Sequence, residues 1–345
     1  MPPNKRPDAL MVSWLPNVRY LTGFTGSNGL LLVTPDGSEF LTDPRYNLQA
    51  REEVDCKASA LKDRSLFHSA ARRLSKRGAM RVAFESSRLS VGSHQLLREK
   101  LPGIVWIATE GVVEKLRMVK SADEIEHIRR SVRINSEAFD RAVEHLRPGL
   151  SENFFAAEIE FQMRALGAER PSFETIVASG PRSALVHAHP SGDPILNNEL
   201  LLIDMGAHCE GYASDMTRMV FLGKPGDRVL DHYAAVLEAQ MAAIDAVREG
   251  VNSTEVDRAA RETLAKRGLE KHFVHSTGHG LGLEIHEPPR IARRLNTRLQ
   301  AGMAITIEPG IYIEGFGGIR IEDTVLVTAN GCEVLTPTTK ELLTV

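Results

Sequence analysis

The 345-residue sequence has only three cysteines, Cys56, Cys209 and Cys332, scattered and odd in number. They form neither a disulfide framework nor a CxxC metal pair, which points to a reducing compartment. No apolar run approaches the ~20 residues needed to span a bilayer. The opening MPPNKRPDALMVSW also lacks the long apolar segment of a secretory signal. A cytoplasmic protein with no membrane partner is expected. Net charge is −3, with no long run of one sign, so nothing supports a nucleic-acid partner. The HExxH, GxSxG and P-loop patterns are missing, which removes local support for three common chemistries. Low-complexity segments are absent as well.

What is present reads as ordinary globular material: 42% hydrophobic and 25% charged, long enough for two domains or one large one. Residues 8–42 read as strands broken by turns. DALMVSW and GLLLVT are apolar, NVRYLTGFTGSNG is a Gly-rich connection, and TPDG is a hairpin turn before SEFLTD. Residues 44–56 and 63–77 have helical spacing, MRVAFE and IVWIAT are strand-like, and a helix over 90–100 stops at Pro102-Gly103. This alternation implies an α/β domain with a mainly parallel sheet. A boundary falls between Gly111 and Lys120, placing the domains at 1–115 and 116–345. Beyond it, Ser121 and Glu124 form a capping-box pattern that opens a helix running to Pro148-Gly149. A second helix runs from Ser151 to about Gly167, strand-like material covers 173–220, and helices cover about 228–248 and 253–267. The rest is β-rich. Paired helices, each pair followed by strands, imply α+β and two similar halves.

The stretch from His275 to Asp323 combines three histidines and several carboxylates with glycines and short apolar runs. An unpaired buried carboxylate costs many kcal/mol, so such groups are usually paired or metal-bound. Glu308 ends AITIE, Glu322 lies within IRIEDTVLV, Asp204 lies in LLIDMG and Asp215 in ASDMTR. Asp204 and Asp215 are eleven apart, and Glu308 and Glu322 fourteen apart, so one hairpin can close each pair. Strand alternation through IRIEDTV would put Arg320, Glu322 and Thr324 on one face. Four converging carboxylates repel unless cations neutralise them, and with His279 beside them they suit Mn, Co or Zn. Two ions ~3.5–4 Å apart would activate a water for hydrolysis. Taken singly, each acidic residue is more often a cap or turn residue, and GHGLG alone is only a tight loop. The joint occurrence and order of the residues is what carries the reading.

The ordered set LLIDMG, GYASDMTR, HSTGHGLGLEIHE, ITIEPGIY and GGIRIEDTVLVT resembles the pita-bread metallopeptidases, and within them the Xaa-Pro peptidases, prolidase and aminopeptidase P. VRYLTGFTGSNG with FLTDPRY is similar to their creatinase-like N-terminal domain, and ASGPRSALVHAHP to their substrate-side loop. The implied fold class is α+β, a pita-bread catalytic domain preceded by a smaller α/β creatinase-like domain. The resemblance makes Asp204, Asp215, His279, Glu308 and Glu322 ligands of two divalent ions per subunit, foremost Mn, with Co or Zn as alternatives. Asp215 and Glu322 would bridge the ions, and a bridging hydroxide would attack the carbonyl before proline. His187 and His286 match the histidines that bind substrate and steady the tetrahedral intermediate, and Glu308 also matches the proton shuttle. His275 and Arg320 are expected on the substrate side close by, with Arg320 steadying a carboxylate. Arg290 matches a position that holds the substrate carboxylate in prolidases.

The sequence departs from that pattern at Val186, where the family usually has proline before the first histidine, and in a short segment ahead of DALMV. The expected activity is hydrolysis of the Xaa-Pro bond in dipeptides or at the N-terminus of short proline-containing peptides. A homodimer is implied by resemblance. Methionine-aminopeptidase-like activity, a non-catalytic peptide-binding protein and a creatinase-like metal-free hydrolase are the alternatives. The complete ligand set disfavours the last two.

Overall fold

The computed structural model describes residues 6–61 and 65–345. The chain divides into two compact units, one ending at Arg117 and the other beginning at Met118.

In the first unit the order is β1 (Ala9–Val12), α1 (Leu15–Thr22), β2 (Gly29–Thr34), β3 (Gly37–Thr42), α2 (Asn47–Glu53), β4 (Lys57–Ala60), α3 (Leu66–Lys76), β5 (Arg81–Glu85), α4 (Val91–Lys100), β6 (Val105–Thr109) and α5 (Glu114–Arg117). The sheet runs β4-β3-β2-β1-β5-β6. Leu74 of α3 and Leu97 of α4 pack on one face, with Met11, Leu32 and Val82. Val18 of α1 and Ala50 of α2 pack on the other, with Val12, Leu31 and Phe40. The sheet is mixed rather than mainly parallel, because β1–β2 and β2–β3 are antiparallel while the other three pairings are parallel. The TPDG turn makes β2–β3 a hairpin, and a hairpin is necessarily antiparallel.

NVRYLTG is not simply a connection: it lies largely in α1, which starts with Pro16 in its first turn and ends at Gly23 with φ +78°. Proline at a helix start and glycine just past its end are start and stop signals. The glycines that follow hide them. The 44–56 segment begins with a 3₁₀ turn, Pro44–Tyr46, and its helix ends at Glu53. In the 63–77 segment the helix starts at Leu66, and positions 63 and 64 lie outside the described residues.

The second unit opens with α6 (Ala122–Val143) and α7 (Glu152–Ala165). The capping box forms as read, with Ser121 N–H donating to Glu124 and Glu124 N–H to Ser121 Oγ. There follow β7 (Arg170–Pro171), β8 (Ile176–Ser179), β9 (Glu199–Met205), β10 (Ala207–Cys209), β11 (Tyr212–Ala213) and β12 (Met216–Leu222). Then come α8 (Asp227–Ala246), α9 (Ser253–Lys266), β13 (Gly278–Gly280), β14 (Glu287–Ile291), β15 (Ala304–Ile307) and β16 (Gly310–Ile313). The chain closes with β17 (Gly317–Arg320), β18 (Asp323–Val327), β19 (Cys332–Val334) and β20 (Leu343–Thr344).

Two helices followed by three antiparallel strands occur twice: β8-β9-β12 after α6 and α7, and β13-β15-β18 after α8 and α9. Leu201, Ile203 and Met205 pack with Phe155 and Ile159 of α7, whereas Leu200 and Leu202 pack with Val236 of α8 and Val256 of α9. A strand covered on both faces must be apolar on both. By strand alternation Asp204 shares the face of Leu200 and Leu202. No helix among the described residues is long and apolar enough to cross a membrane.

Candidate metal centre

Each hairpin delivers its carboxylates at strand ends. In β9–β12 Asp204 pairs with Thr217, and Asp215 directly precedes β12. In β15–β18 Ile307 pairs with Asp323, so Glu308 directly follows β15 and Glu322 directly precedes β18. IRIEDTV is thus not one alternating strand. It breaks at Ile321–Glu322 into β17, which pairs with β16, and β18, which belongs to another sheet. The break sets Glu322 at the meeting of the two hairpins. Its N–H donates to Thr217 O at 3.2 Å, and Thr324 Oγ1 donates to Asp215 O at 3.0 Å.

His279 is the centre of β13, whose other two residues are Gly278 and Gly280. A Cβ on Gly278 would lie 1.9 Å from Thr306 O, and one on Gly280 would lie 2.3 Å from Pro288 O. Only glycine lets this strand approach its neighbours so closely, and the imidazole is thereby carried into the interior.

All ten site residues named from the sequence line one cavity of about 410 Å³: Asp204, Asp215, His279, Glu308, Glu322, His187, His286, His275, Arg290 and Arg320. Asp204, Asp215, His279, Glu322 and Arg320 are buried, His275 and Glu308 half-buried, and His187, His286 and Arg290 exposed. The cavity therefore grades from a carboxylate-rich floor to a mouth of imidazoles and one guanidinium. Asp215, His279 and Glu322 each offer a ligand atom within 4.8 Å of the others.

The contacts at the floor show what it lacks. His279 Nδ1 lies 3.1 Å from Gly280 O. A carbonyl only accepts, so Nδ1 carries the hydrogen and Nε2 is left with a lone pair. Nε2 sits 3.5 Å from Asp215 Oδ2 and 3.5 Å from Glu308 Oε1. Three acceptor atoms face one another, and either a proton or a cation is needed between them. Burial, then the proximity of His286, lowers His279 to about 3, so the imidazole itself supplies no proton at neutral pH.

Burial first, then Glu322, Asp204 and Glu308, pushes Asp215 well above the usual carboxylate range. Burial with Glu308 and Asp204 does the same to Glu322. Burial, opposed by Arg320 and reinforced by Asp204, raises Glu308 to about 7. Asp204 Oδ1 is buried with no hydrogen-bond partner among the described residues. An orphaned acceptor, mutually repelling carboxylates and a facing imidazole lone pair form a donor set that fits divalent cations.

Several participants were not singled out from the sequence. Thr217 Oγ1 donates to Glu322 Oε2 at 2.6 Å and accepts from Arg320 Nε at 3.0 Å. Arg320 also donates to Asp204 Oδ2 at 2.6 Å and to Tyr312 Oη at 2.5 Å. His275 Nδ1 donates to Ser276 O, so its Nε2 accepts from Tyr312 Oη at 2.9 Å. Burial, then Arg320, lowers His275 to about 3, consistent with that neutral ring. Thr306 Oγ1 donates to Glu308 and accepts from His279 N–H. The only available signal was a polar residue flanking each acidic strand end, which is weak in isolation. Phe173, Ile176 and Ile285 give the mouth apolar walls.

Comparison with known proteins agrees with this chemistry. Residues 126–329 match metallopeptidase family M24, and residues 4–119 match the creatinase/prolidase N-terminal domain. The Xaa-Pro dipeptidase of Pyrococcus horikoshii is 37% identical over 337 residues, covering 97% of this chain and 94% of that protein. The solved Xaa-Pro dipeptidase from Bacillus anthracis superposes with a TM-score of 0.96 at 38% identity, over 98% of this chain and 95% of that one. The X-Pro aminopeptidase from Thermotoga maritima superposes at 0.93 with 35% identity, over 98% of each chain. With its α+β pita-bread unit behind a creatinase-type N-terminal unit, the chain belongs to metallopeptidase family M24.

Proposed function

We propose that this chain hydrolyses the peptide bond preceding proline, with Xaa-Pro dipeptides as its principal substrates. The supporting observation is the single cavity in which a buried carboxylate–imidazole floor lies behind exposed His187, His286 and Arg290. In this reading Asp204, Asp215, His279, Glu308 and Glu322 hold two divalent ions, Mn foremost because carboxylates dominate the donor set. Bound there, the ions supply Lewis acidity and lower the pKa of water.

The protein's own groups do the rest. Arg290, opposite His279 across the β13–β14 pairing, receives the free carboxylate of the substrate. His187 and His286 hydrogen-bond the carbonyl oxygen as it gains charge. Glu308 accepts a proton from the attacking water at its carboxylate and passes it to the proline nitrogen, a tertiary amide that must be protonated to leave. Tyr312 and Thr217 keep Arg320 and Glu322 in place. All these side chains lie in residues 116–345, to which we assign catalysis. The assembly we expect is a homodimer, for which light scattering is the check.

The deciding experiment is hydrolysis of Ala-Pro and Ala-Pro-Ala by metal-stripped protein reloaded with Mn. Cleavage of the dipeptide alone supports a dipeptidase, with Arg290→Leu raising KM about 10- to 100-fold at little cost in kcat, the loss of one charged hydrogen-bond pair. Equal or faster cleavage of the tripeptide makes the protein an aminopeptidase, the name carried by the Thermotoga maritima relative. Cleavage of neither with metal bound overturns the assignment.

A further inference from the structure

His187 sits in a turn after β8 and the short 3₁₀ helix that follows it, and among the described residues its ring makes no hydrogen bond to the protein. Its place in the cavity is therefore set by the backbone of the 180–190 loop. The first half of that loop is a 3₁₀ helix, Gly180–Ala184, pinned where Ser183 Oγ accepts from Gly318 N–H at 2.8 Å. Residues 185–190, which include His187, have no regular structure. Such a stretch is drawn from the low-stability end of a protein unless something ties it down.

One side chain ties both ends. Glu152, the first residue of α7, is 0% exposed. Its Oε1 accepts from Ser179 N–H at 2.8 Å and Ser179 Oγ at 3.2 Å, at the start of the loop. Its Oε2 accepts from Ser191 N–H at 2.9 Å, at the far end. Arg182, inside the loop, donates from Nε to Oε2 at 3.1 Å, while its terminal nitrogen reaches across to His189 O at 2.7 Å. The position also suits an anion, because the first turn of a helix presents unpaired N–H groups and the positive end of the helix dipole.

We propose that Glu152 is a positioning residue for the hydrolysis, its carboxylate clamping both ends of the 180–190 loop so that His187 is held in the catalytic cavity. This rests on the role given to His187 above. Nothing in the cavity touches Glu152 directly, so its effect passes through the loop. Glu152→Gln keeps the volume but replaces one acceptor oxygen with a donor among donors, which opens one end of the clamp.

The test joins hydrogen exchange to a double-variant comparison on the full chain. In Glu152→Gln the amides of 180–191 should exchange at least about tenfold faster, with β9 and β12 unchanged. On Ala-Pro the variant should lose about 10- to 100-fold in kcat/KM, the scale of a misplaced group. In a His187→Ala background the same change should cost less than about twofold, because residues acting through one another are not additive. Arg182→Lys, at a more exposed position, should loosen the loop in the same direction but less, and serves if Glu152→Gln does not fold. Unchanged loop exchange, or full multiplication of the two losses, overturns the proposal. If the wild-type protein cleaves neither peptide, that falls on the assignment of function, and loop exchange still decides for or against the clamp.

Discussion

Glu322 and Asp323 are neighbours in sequence, 2% and 0% exposed, and they face opposite kinds of surroundings. Asp323 Oδ1 accepts from Arg218 at 2.7 Å, while Oδ2 accepts from Gln240 at 2.8 Å and Lys340 at 2.6 Å. One carboxylate meets two cations there, and the remaining Arg218 donors are taken by carbonyls of Thr217, Glu322, Thr338 and Thr339. Glu322 instead meets a threonine hydroxyl and the repulsion of Glu308 and Asp204. At the cavity floor four carboxylates share one guanidinium, Arg320. Burial alone thus says little about a carboxylate's purpose. A site whose charges close within the protein is architecture, and one left short of positive charge is built for a cation that arrives from outside.

The largest effect should come from breaking the second kind of site. Glu322→Ala or Asp215→Ala should abolish metal binding, measured by metal content per folded protein, and lower kcat/KM about 10³-fold or more, since metal-assisted chemistry contributes several kcal/mol. Full activity in either variant would sink the assignment. In metal-free protein, by contrast, Glu322→Gln removes a carboxyl that burial and its acidic neighbours resist ionising, and should leave urea stability unchanged or raised.

The first kind of site should respond the other way. Asp323→Ala leaves Arg218, 1% exposed at its side chain, without its carboxylate. Removing one partner of a buried pair costs about 3–5 kcal/mol, to be read as a lower urea midpoint. Metal content per folded molecule should change far less than stability does. Equal losses of both would mean that the two neighbours do not have separate roles.

A smaller effect sharpens the contrast by pH. Glu308, raised to about 7 in metal-free protein, is mostly protonated at pH 6 and mostly ionised at pH 8. Metal binding requires the ionised form, so calorimetric titration with Mn should release more protons at pH 6 than at pH 8. The neutral His279 should add none, because its proton affinity is already low. Equal release at the two pH values would show that metal binding does not displace a proton from Glu308.

Much of this arrangement was legible beforehand because of how each feature is encoded. Caps and periodicity are local, so the helices opening at Ser121 and Ser151 were readable from a few residues each. The four carboxylates were conspicuous because acidic residues rarely end apolar runs. The α1 helix was obscured by the glycines after it, and the break at Ile321–Glu322 by an alternation that continues through it. Neither the Arg218–Asp323 pair nor the Glu152 clamp had a local signature, since their partners stand 105 and 27 to 39 residues away.

By itself the sequence determined most of the elements and their order (though not α1 or the break between β17 and β18), the residues able to ligate a cation and, through their resemblance, the family to which they belong. Tertiary structure alone decided which buried charges are neutralised within the protein and which are left for a cation. That division depends on distances of a few ångströms between residues on different strands and helices, and a charge's cost or benefit is set by those neighbours rather than by the run of chain that carries it.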